Sequence, residues 1–532
     1  MSHYLLGVTT RRKRYGGVVA SMLLPLLCSC ASSDGIAPTA HMASIPTMSK
    51  TADNTTINPP MITEQWWTAF HDAQLNQLIN QMTQLSPTLQ QALDRIHIAQ
   101  ASVGAVASEG QAHLNAKGGL SVEHWPKDTH YGAGLNGDTT WNNTAGIAFD
   151  YDIDLFNKQD DRDQRALAQL SLSGISAQAA QLQLTANIVR SYINLALAYD
   201  QRDVQRQRLA QQQEIIELTQ QQFDYGLGSR YDLQQAQAQL PVIKSVIRGI
   251  DEQIALAKNQ LLTLVGLPLQ AAGELKRPTL TLATTLELPT ELPLSLVGNR
   301  PDINASRWQI VAAARGIDLA KADFYPNINL LAGFSQVMTV GGLAEIFNAQ
   351  NRSYSAGPAI SLPIFDGGAR RAQLGIASAS YDELVHQYNA TLQQALREVS
   401  DVLIQQRAAK DQAGFADEAV ARATQVYQTA ETAFKQGFRD YLHVLDAQTR
   451  LLEQQLVKAS VHARLLIVEA DLAIALGGGV AFHAPHAEQL LPSRVELKAE
   501  PEANAVPLSS AVASTLSTTN AGTGYHQTHE RN

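Results

Sequence analysis

The chain is written twice. Phe223, Gly226, Leu233, Ala236, Gln237 and Leu240 recur as Phe434, Gly437, Val444, Ala447, Gln448 and Leu451, each 211 residues later. A long Gln- and Ala-rich stretch precedes each Phe-x-x-Gly element, and a second helical pattern follows it. Residues 157–223 contain no Pro and one internal Gly, Gly174. Ile175, Ala179, Leu182, Ala186, Val189, Ile193 and Ala196 step by fours and threes, a heptad seam. One helix through this stretch measures roughly 100 Å at 1.5 Å per residue, far beyond the few turns usual in globular proteins. Residues 226–230 read as a turn. Residues 231–265 read as a return helix stopped by Gly266, with Pro241 expected to kink or break it. The second copy predicts a helix over 370–434, with a seam at Val385, Tyr388, Leu392, Ala395, Val399 and Val402. Its return helix covers 441–476 and is stopped by Gly477, Gly478 and Gly479. Helix pairs this long do not suit a compact enzyme. They suit a protein whose task is reach.

Each copy also carries a shorter helix, 87–109 or 301–323, and two strands. The strands are expected near 111–124 and 141–154, and at 326–336 and 354–362. Residues 146–156 alternate apolar and polar, with Asp150, Asp152 and Asp154 on one face. Strands of about ten residues match the length a tilted strand needs to cross a bilayer. Four strands cannot close a barrel with a useful lumen. Three chains supply twelve, together with twelve helix columns, so a trimer is the natural closure. Small seam residues permit side-by-side packing around a wide axis, with polar faces left to line water. A solvent-exposed coiled-coil spacer between envelope layers stays open as the other reading.

The N-terminus is an address. Arg11, Arg12, Lys13 and Arg14 precede a short apolar run at 16–27 and then Leu27-Cys28-Ser29-Cys30. This resembles a bacterial lipoprotein signal over 1–29. The resemblance implies cleavage before Cys30, acylation of Cys30, and a lipidated extended tether over 30–62. Ala31, in place of an Asp, implies delivery to the outer membrane. The chain's two Cys both lie here, so no disulfide is expected. After Cys30 no apolar run reaches the length of a transmembrane helix. Any crossing is therefore by β-strands. A net charge of −9 without a basic stripe argues against nucleic acid as a partner. Residues 63–280 and 281–485 form the two repeats, and 486–532 read as a disordered tail. No nucleophile elbow, His-Glu-x-x-His or Cys-pair motif occurs. Neither enzymatic activity nor a metal is expected, and no cofactor besides the lipid on Cys30.

Several motifs then converge. They are Gln65-Trp66-Trp67 with Phe70, Asp72, Leu75, Leu78 and Ile79; Arg300-Pro301-Asp302-Ile303 with Ala305 and Arg307; and Phe324-Tyr325-Pro326. Gly357-Pro358 and Leu362-Pro363-Ile364-Phe365-Asp366-Gly367-Gly368 complete the set. In this order they resemble the outer-membrane efflux factors of the TolC-like superfamily, in its NodT-like lipoprotein branch, over residues 63–480. The resemblance implies a homotrimer with a twelve-stranded outer-membrane barrel and a periplasmic tunnel of twelve helices. It implies a collar from short helices near 63–86 and 266–300. It implies a passive efflux channel for small toxic compounds or drugs, with a periplasmic adaptor and an inner-membrane pump of the RND, MFS or ABC type as partners. A type I secretion or metal-efflux outer channel is the variant reading. Pro363, Gly367 and Gly368 would form the strand–helix joint. Gly226, Leu227, Gly437 and Phe438 would form adaptor-contact turns. Asp232, Arg439, Phe434, His443 and Asp446 would form the periplasmic gate, with Asp232 pairing Arg439 and Asp446 forming an acidic ring. Phe434 lacks the hydroxyl some members carry, and His443 stands where an acid is usual.

Overall fold

The structure is a computed structural model that describes residues 32–43, 64–127, 135–281, 298–338, 350 and 352–479. Cys30, the signal, residues 44–62 of the tether and the 486–532 tail lie outside the described residues. A 3-10 turn (Trp66–Phe70) leads to α1 (Ala73–Leu85) and α2 (Pro87–Glu109). Then come β1 (His113–His124), β2 (Thr139–Ile153), α3 (Lys158–Asp224) and α4 (Arg230–Val265). The second repeat gives α5 (Pro301–Ala322), β3 (Asn327–Met338), β4 (Arg352–Ser361), α6 (Ala369–Lys435) and α7 (Tyr441–Ala475).

The long helices form as the sequence predicts. α3 and α6 are each 67 residues. In the first seam Ile175, Leu182, Ala186, Val189 and Ile193 are buried, and in the second Val385, Tyr388, Leu392, Ala395 and Val399. Pro241 does not break α4, which runs through it. Its ring sits on an exposed face, where water can serve the carbonyl that loses its amide partner. α2 and α4 pack in succession along α3, while α5 and α7 pack between α3 and α6. The α2–α4 column and α6 are therefore the outer columns of the protomer.

The sheet has the order β1-β2-β3-β4, antiparallel throughout, so β1 and β4 are its edges. Its register gathers the apolar residues on one face. Leu114 opposes Phe149, which opposes Ala332; Ala116 opposes Ile147, which opposes Phe334, which opposes Tyr354. The other face carries rows such as Lys117, Gly146 and Ser335. The apolar side is exposed in the single chain: Leu114 71%, Ile147 49%, Phe334 46% and Tyr354 86%. A soluble sheet would cover such a face; a sheet in lipid presents it.

The core lies where α1 meets the middle of α3 and the end of α4. Trp66, Phe70, Leu75, Ile79 and Met82 pack there with Ile188, Tyr192, Leu195, Leu261 and Leu262. Each such side chain contributes about 1.5–3 kcal/mol on burial. Asp72 caps α1 and is buried. It accepts from the Leu75 amide (3.0 Å), the Tyr192 hydroxyl (3.0 Å) and the Thr279 amide (2.8 Å). Burial pushes its carboxyl up, but these bonds outweigh burial and hold it below the ordinary range. Within 266–300 the described residues show only short 3-10 pieces, Leu269–Gly273 and the pair Gly298 and Asn299 just before α5. Residues beyond the first piece instead dock as an extended segment: Lys276 N donates to Gln74 Oε1 and Thr281 N to the Phe70 carbonyl. Gly266 ends α4 at φ 89°, and a Cβ there would stand 2.3 Å from the Leu85 carbonyl oxygen.

After a turn at Asp34 and Gly35, residues 36–43 run without regular secondary structure, and the segment is seated on the protein. The amides of Thr39 and Ala40 donate to Asp382 Oδ1 (3.0 and 2.9 Å), and the Thr39 hydroxyl donates to Oδ2 (2.9 Å). Ala43 N donates to Asn389 Oδ1 (2.7 Å), and Arg371 binds the Ser32 carbonyl. This strap runs parallel to the first third of α6.

Candidate functional site

The two tip turns have one construction. α3 and α6 end in left-handed glycines, Gly226 (φ 71°) and Gly437 (φ 76°). The next amides, Leu227 and Phe438, reach back to the Gln222 and Ala433 carbonyls (2.8 and 2.9 Å), closing Schellman-type caps. Leu227 and Phe438, equivalent under the 211-residue offset, are 82% and 77% exposed. An apolar knob on each turn is thus pushed into solvent by the backbone itself.

The return helices open on matching caps. Ser229 Oγ accepts from Asp232 N (3.1 Å), and the Asp232 carboxylate accepts from Ser229 N and Oγ (3.3 and 2.6 Å), a complete capping box. In the second repeat Asp440 is the cap and accepts from His443 N (3.1 Å), while His443 Nδ1 lies 2.5 Å from the same carboxylate. The imidazole holds the Asp440 carboxyl below the ordinary range. Arg439 Nη1 stands 3.4 Å from His443 Nε2. Among the described residues of one chain, no ion pair joins Asp232 to Arg439. Asp446 is exposed and paired with Arg450 at 3.2 Å, which offsets its charge.

Sequence reasoning missed a further link. The Phe434 ring packs on Tyr441, with centroids 4.9 Å apart. The Tyr441 hydroxyl donates to Glu214 Oε1 at 2.6 Å, and this bond pushes the phenol up to about 12. One turn away Gln211 Nε2 donates to the Leu445 carbonyl (2.5 Å) and to Thr449 Oγ1 (3.0 Å). The hydroxyl absent from Phe434 is supplied from α7, and it ties α7 to α3 near the tip.

At the other end, the strand–helix joint is held by Asp366. Its carboxylate accepts from Gly368 N (2.9 Å) and Arg370 N (3.2 Å), and Arg370 reaches the Pro363 carbonyl (3.3 Å). Gly367 and Gly368 sit at φ 66° and 93°, which Cβ-bearing residues resist. Asp154 departs from expectation. β2 ends at Ile153, and Asp154 accepts from Lys158 N and Gln159 N (2.8 and 2.9 Å), so it caps α3 and does not line the strand face. Helix amides at a strand exit need an acceptor, and the nearest carboxylate is drawn to them. Arg300 closes the second repeat, bonding Asp302 (2.7 Å), Glu398 (2.8 Å) and the Ala475 carbonyl (3.1 Å).

A four-stranded sheet with one apolar face, feeding helices roughly 100 Å long that end in paired turns, is the protomer of an outer-membrane channel. The fold is mostly α with a membrane β-barrel. The chain belongs to the outer membrane efflux protein family, whose sequence model matches residues 78–267 and 292–478, one match per repeat. It is 37% identical over 315 residues to the fusaric acid resistance protein FusA of Burkholderia cepacia, spanning 59% of this chain and 59% of that one. It is 27% identical over 419 residues to the cation efflux system protein CusC of Escherichia coli, spanning 78% of this chain and 88% of that one. The crystal structure of the outer membrane protein VceC of Vibrio cholerae superposes with a TM-score of 0.68 at 30% identity, over 79% of this chain and 99% of that one.

Proposed function

We propose that the chain is the passive outer channel of a tripartite exporter, working as a homotrimer anchored through lipid on Cys30. The sheet's apolar face, continuous across all four strands, carries this reading. A spacer rod needs no such face. The open sheet edges, β1 and β4, and the outer helix columns, α2–α4 and α6, support closure by further copies. Leu227 and Phe438 are the knobs on which a periplasmic adaptor docks, and the adaptor joins the channel to an inner-membrane pump. The tip is the gate, with Asp232 of one copy facing Arg439 of the next as the trimer closes. Cargo is small toxic organic compounds, in keeping with the name of the relative FusA; metal ions are the second choice, in line with the cation efflux named for CusC. Planar-bilayer recording of the purified lipoprotein tests the channel: discrete trimer conductances are expected. A folded trimer that forms no pores would leave the spacer reading standing. Mass spectrometry of the mature N-terminus tests Cys30, with an acylated N-terminal Cys expected and an unmodified one overturning the anchor.

A further inference from the structure

One groove is not used by the gate, the turns or the joint. It is an open groove of about 730 Å³ lined by α2, α3 and α5, a volume within the range of small-molecule sites. Arg95 from α2 and Arg162 and Arg165 from α3 line it. Its apolar lining is Ile98, Val106 and Leu319. Glu109 is the one carboxylate in the lining, 3.7 Å from Arg162. Neither Arg95 nor Arg165 forms an ion pair among the described residues. Three guanidiniums against one carboxylate leave the groove positive in a chain whose net charge is −9.

Its side of the helix wall follows from the repeat. The strap sits on α6 at Arg371, Asp382 and Asn389. The 211-residue offset carries these positions to Asp160, Ser171 and Gln178 of α3. At about 100° per residue, that face is half a turn from Arg162, Gln169 and Ser173, which line the groove. α3 and α6 both descend from the sheet, so the comparison holds without inversion. A strap that leads to a lipid anchor lies outside the tunnel, and the groove then opens inside it.

We propose that this groove binds organic anions with an apolar body, and that three copies form a positive belt on the tunnel wall below the barrel. The inner position rests on the channel reading; the binding chemistry does not. Guanidinium forks pair with a carboxylate in bidentate fashion, and the apolar lining takes the ring or chain behind it. The site favours anionic over neutral cargo along the path.

The test uses the full lipoprotein in detergent with 2-naphthoate as probe and 2-naphthamide as its neutral counterpart. Equilibrium dialysis should find naphthoate binding that weakens at least about tenfold in the Arg95→Gln/Arg165→Gln double variant, with naphthamide indifferent to the change. Helix content and melting temperature should match the parent, because neither side chain forms an ion pair among the described residues. In bilayers, naphthoate should block single-channel current in the parent and far less in the variant. Arginine-dependent binding without pores would keep the site and sink the channel. Pores with naphthoate binding that is absent, or unchanged in the variant, would overturn the site. Arg95→Lys/Arg165→Lys, which keeps the charge, should restore part of the binding; no recovery together with a lowered melting temperature would assign the arginines to folding alone.

Discussion

His443 occupies the third position of α7, where Asp232 stands in α4, and its Nδ1 lies 2.5 Å from the capping carboxylate of Asp440. The two repeats thus make the same cap with opposite polarity. In one the acid reaches back to a serine; in the other a base reaches back to an acid. A carboxylate can only accept, so Nδ1 carries the proton and Nε2 is left to accept from Arg439 at 3.4 Å. The groups facing His443 are Asp440 and Arg439, both from its own turn. His443→Ala deletes both contacts and releases Arg439, so cation selectivity of the pore is expected to fall at constant pH. His443→Asn, which keeps a polar group at the cap, should lower it less. Selectivity equal to the parent's in both variants removes His443 from the gate.

The Tyr441–Glu214 bond predicts a latch between the repeats. Tyr441→Phe keeps the ring against Phe434 and deletes the 2.6 Å bond to α3. A charge-assisted hydrogen bond at a partly exposed site is worth about 1 kcal/mol. Amide exchange in the first turns of α7 should accelerate about fivefold, and mean open time of the pore should rise. Glu214→Ala, which removes the acceptor, should produce the same change, and the double variant no more than either single one. Additive effects would show that the two residues act separately.

Much of this architecture is legible in the chain, and the illegible parts share one cause. The 67-residue helices follow from an unbroken seam without Pro, and their ends follow from Gly226 and Gly437, as the end of α4 follows from Gly266, because helix ends are decided by local backbone sterics. The sheet follows from alternation, since one face must meet lipid. Tyr441–Glu214 joins residues 227 apart, and Thr39–Asp382 residues 343 apart. Both depend on which faces of two columns meet, and periodicity does not encode that. Asp154 failed for the opposite reason. Its alternation with Asp150 and Asp152 is genuine, but the free amides of α3 outcompete the strand for it.

Asp232 and Arg439 can be separated as gate residues by comparing two variants. Asp232 is the N3 residue of a capping box whose N-cap is Ser229, so Asp232→Ala should lower local helix stability, even with the gate unchanged, while loss of the N-cap in Ser229→Ala should cost about 0.5–2 kcal/mol. Ser229→Ala removes the other half of that box and leaves the carboxylate free. If Asp232 also faces Arg439 of a neighbour, Asp232→Ala and Arg439→Ala both raise conductance, while Ser229→Ala does not. Equal conductance for Ser229→Ala and Asp232→Ala would reduce Asp232 to a cap.

The strap gives a prediction with a defined pH sign. Burial pushes the Asp382 carboxyl up, but the amides of Ala40 and Thr39 outweigh it and hold the group below the ordinary carboxylate range. A depressed folded value means that its contribution is complete above the unfolded value of about 3.9. That contribution is lost as pH falls through the lower, folded one. The strap should therefore stay seated from neutral pH down to about 4 and release below it. Hydrogen exchange, corrected for intrinsic rates, should find Thr39 and Ala40 protected at pH 7 in the parent. Asp382→Ala should abolish that protection while the α6 amides beneath remain slow. Asp382→Asn, which keeps one carbonyl acceptor, should retain part of it and lose the pH dependence. Equal exchange at Thr39 and Ala40 in parent and alanine variant would mean that the strap is held elsewhere, with Arg371 and Asn389 the next residues to change.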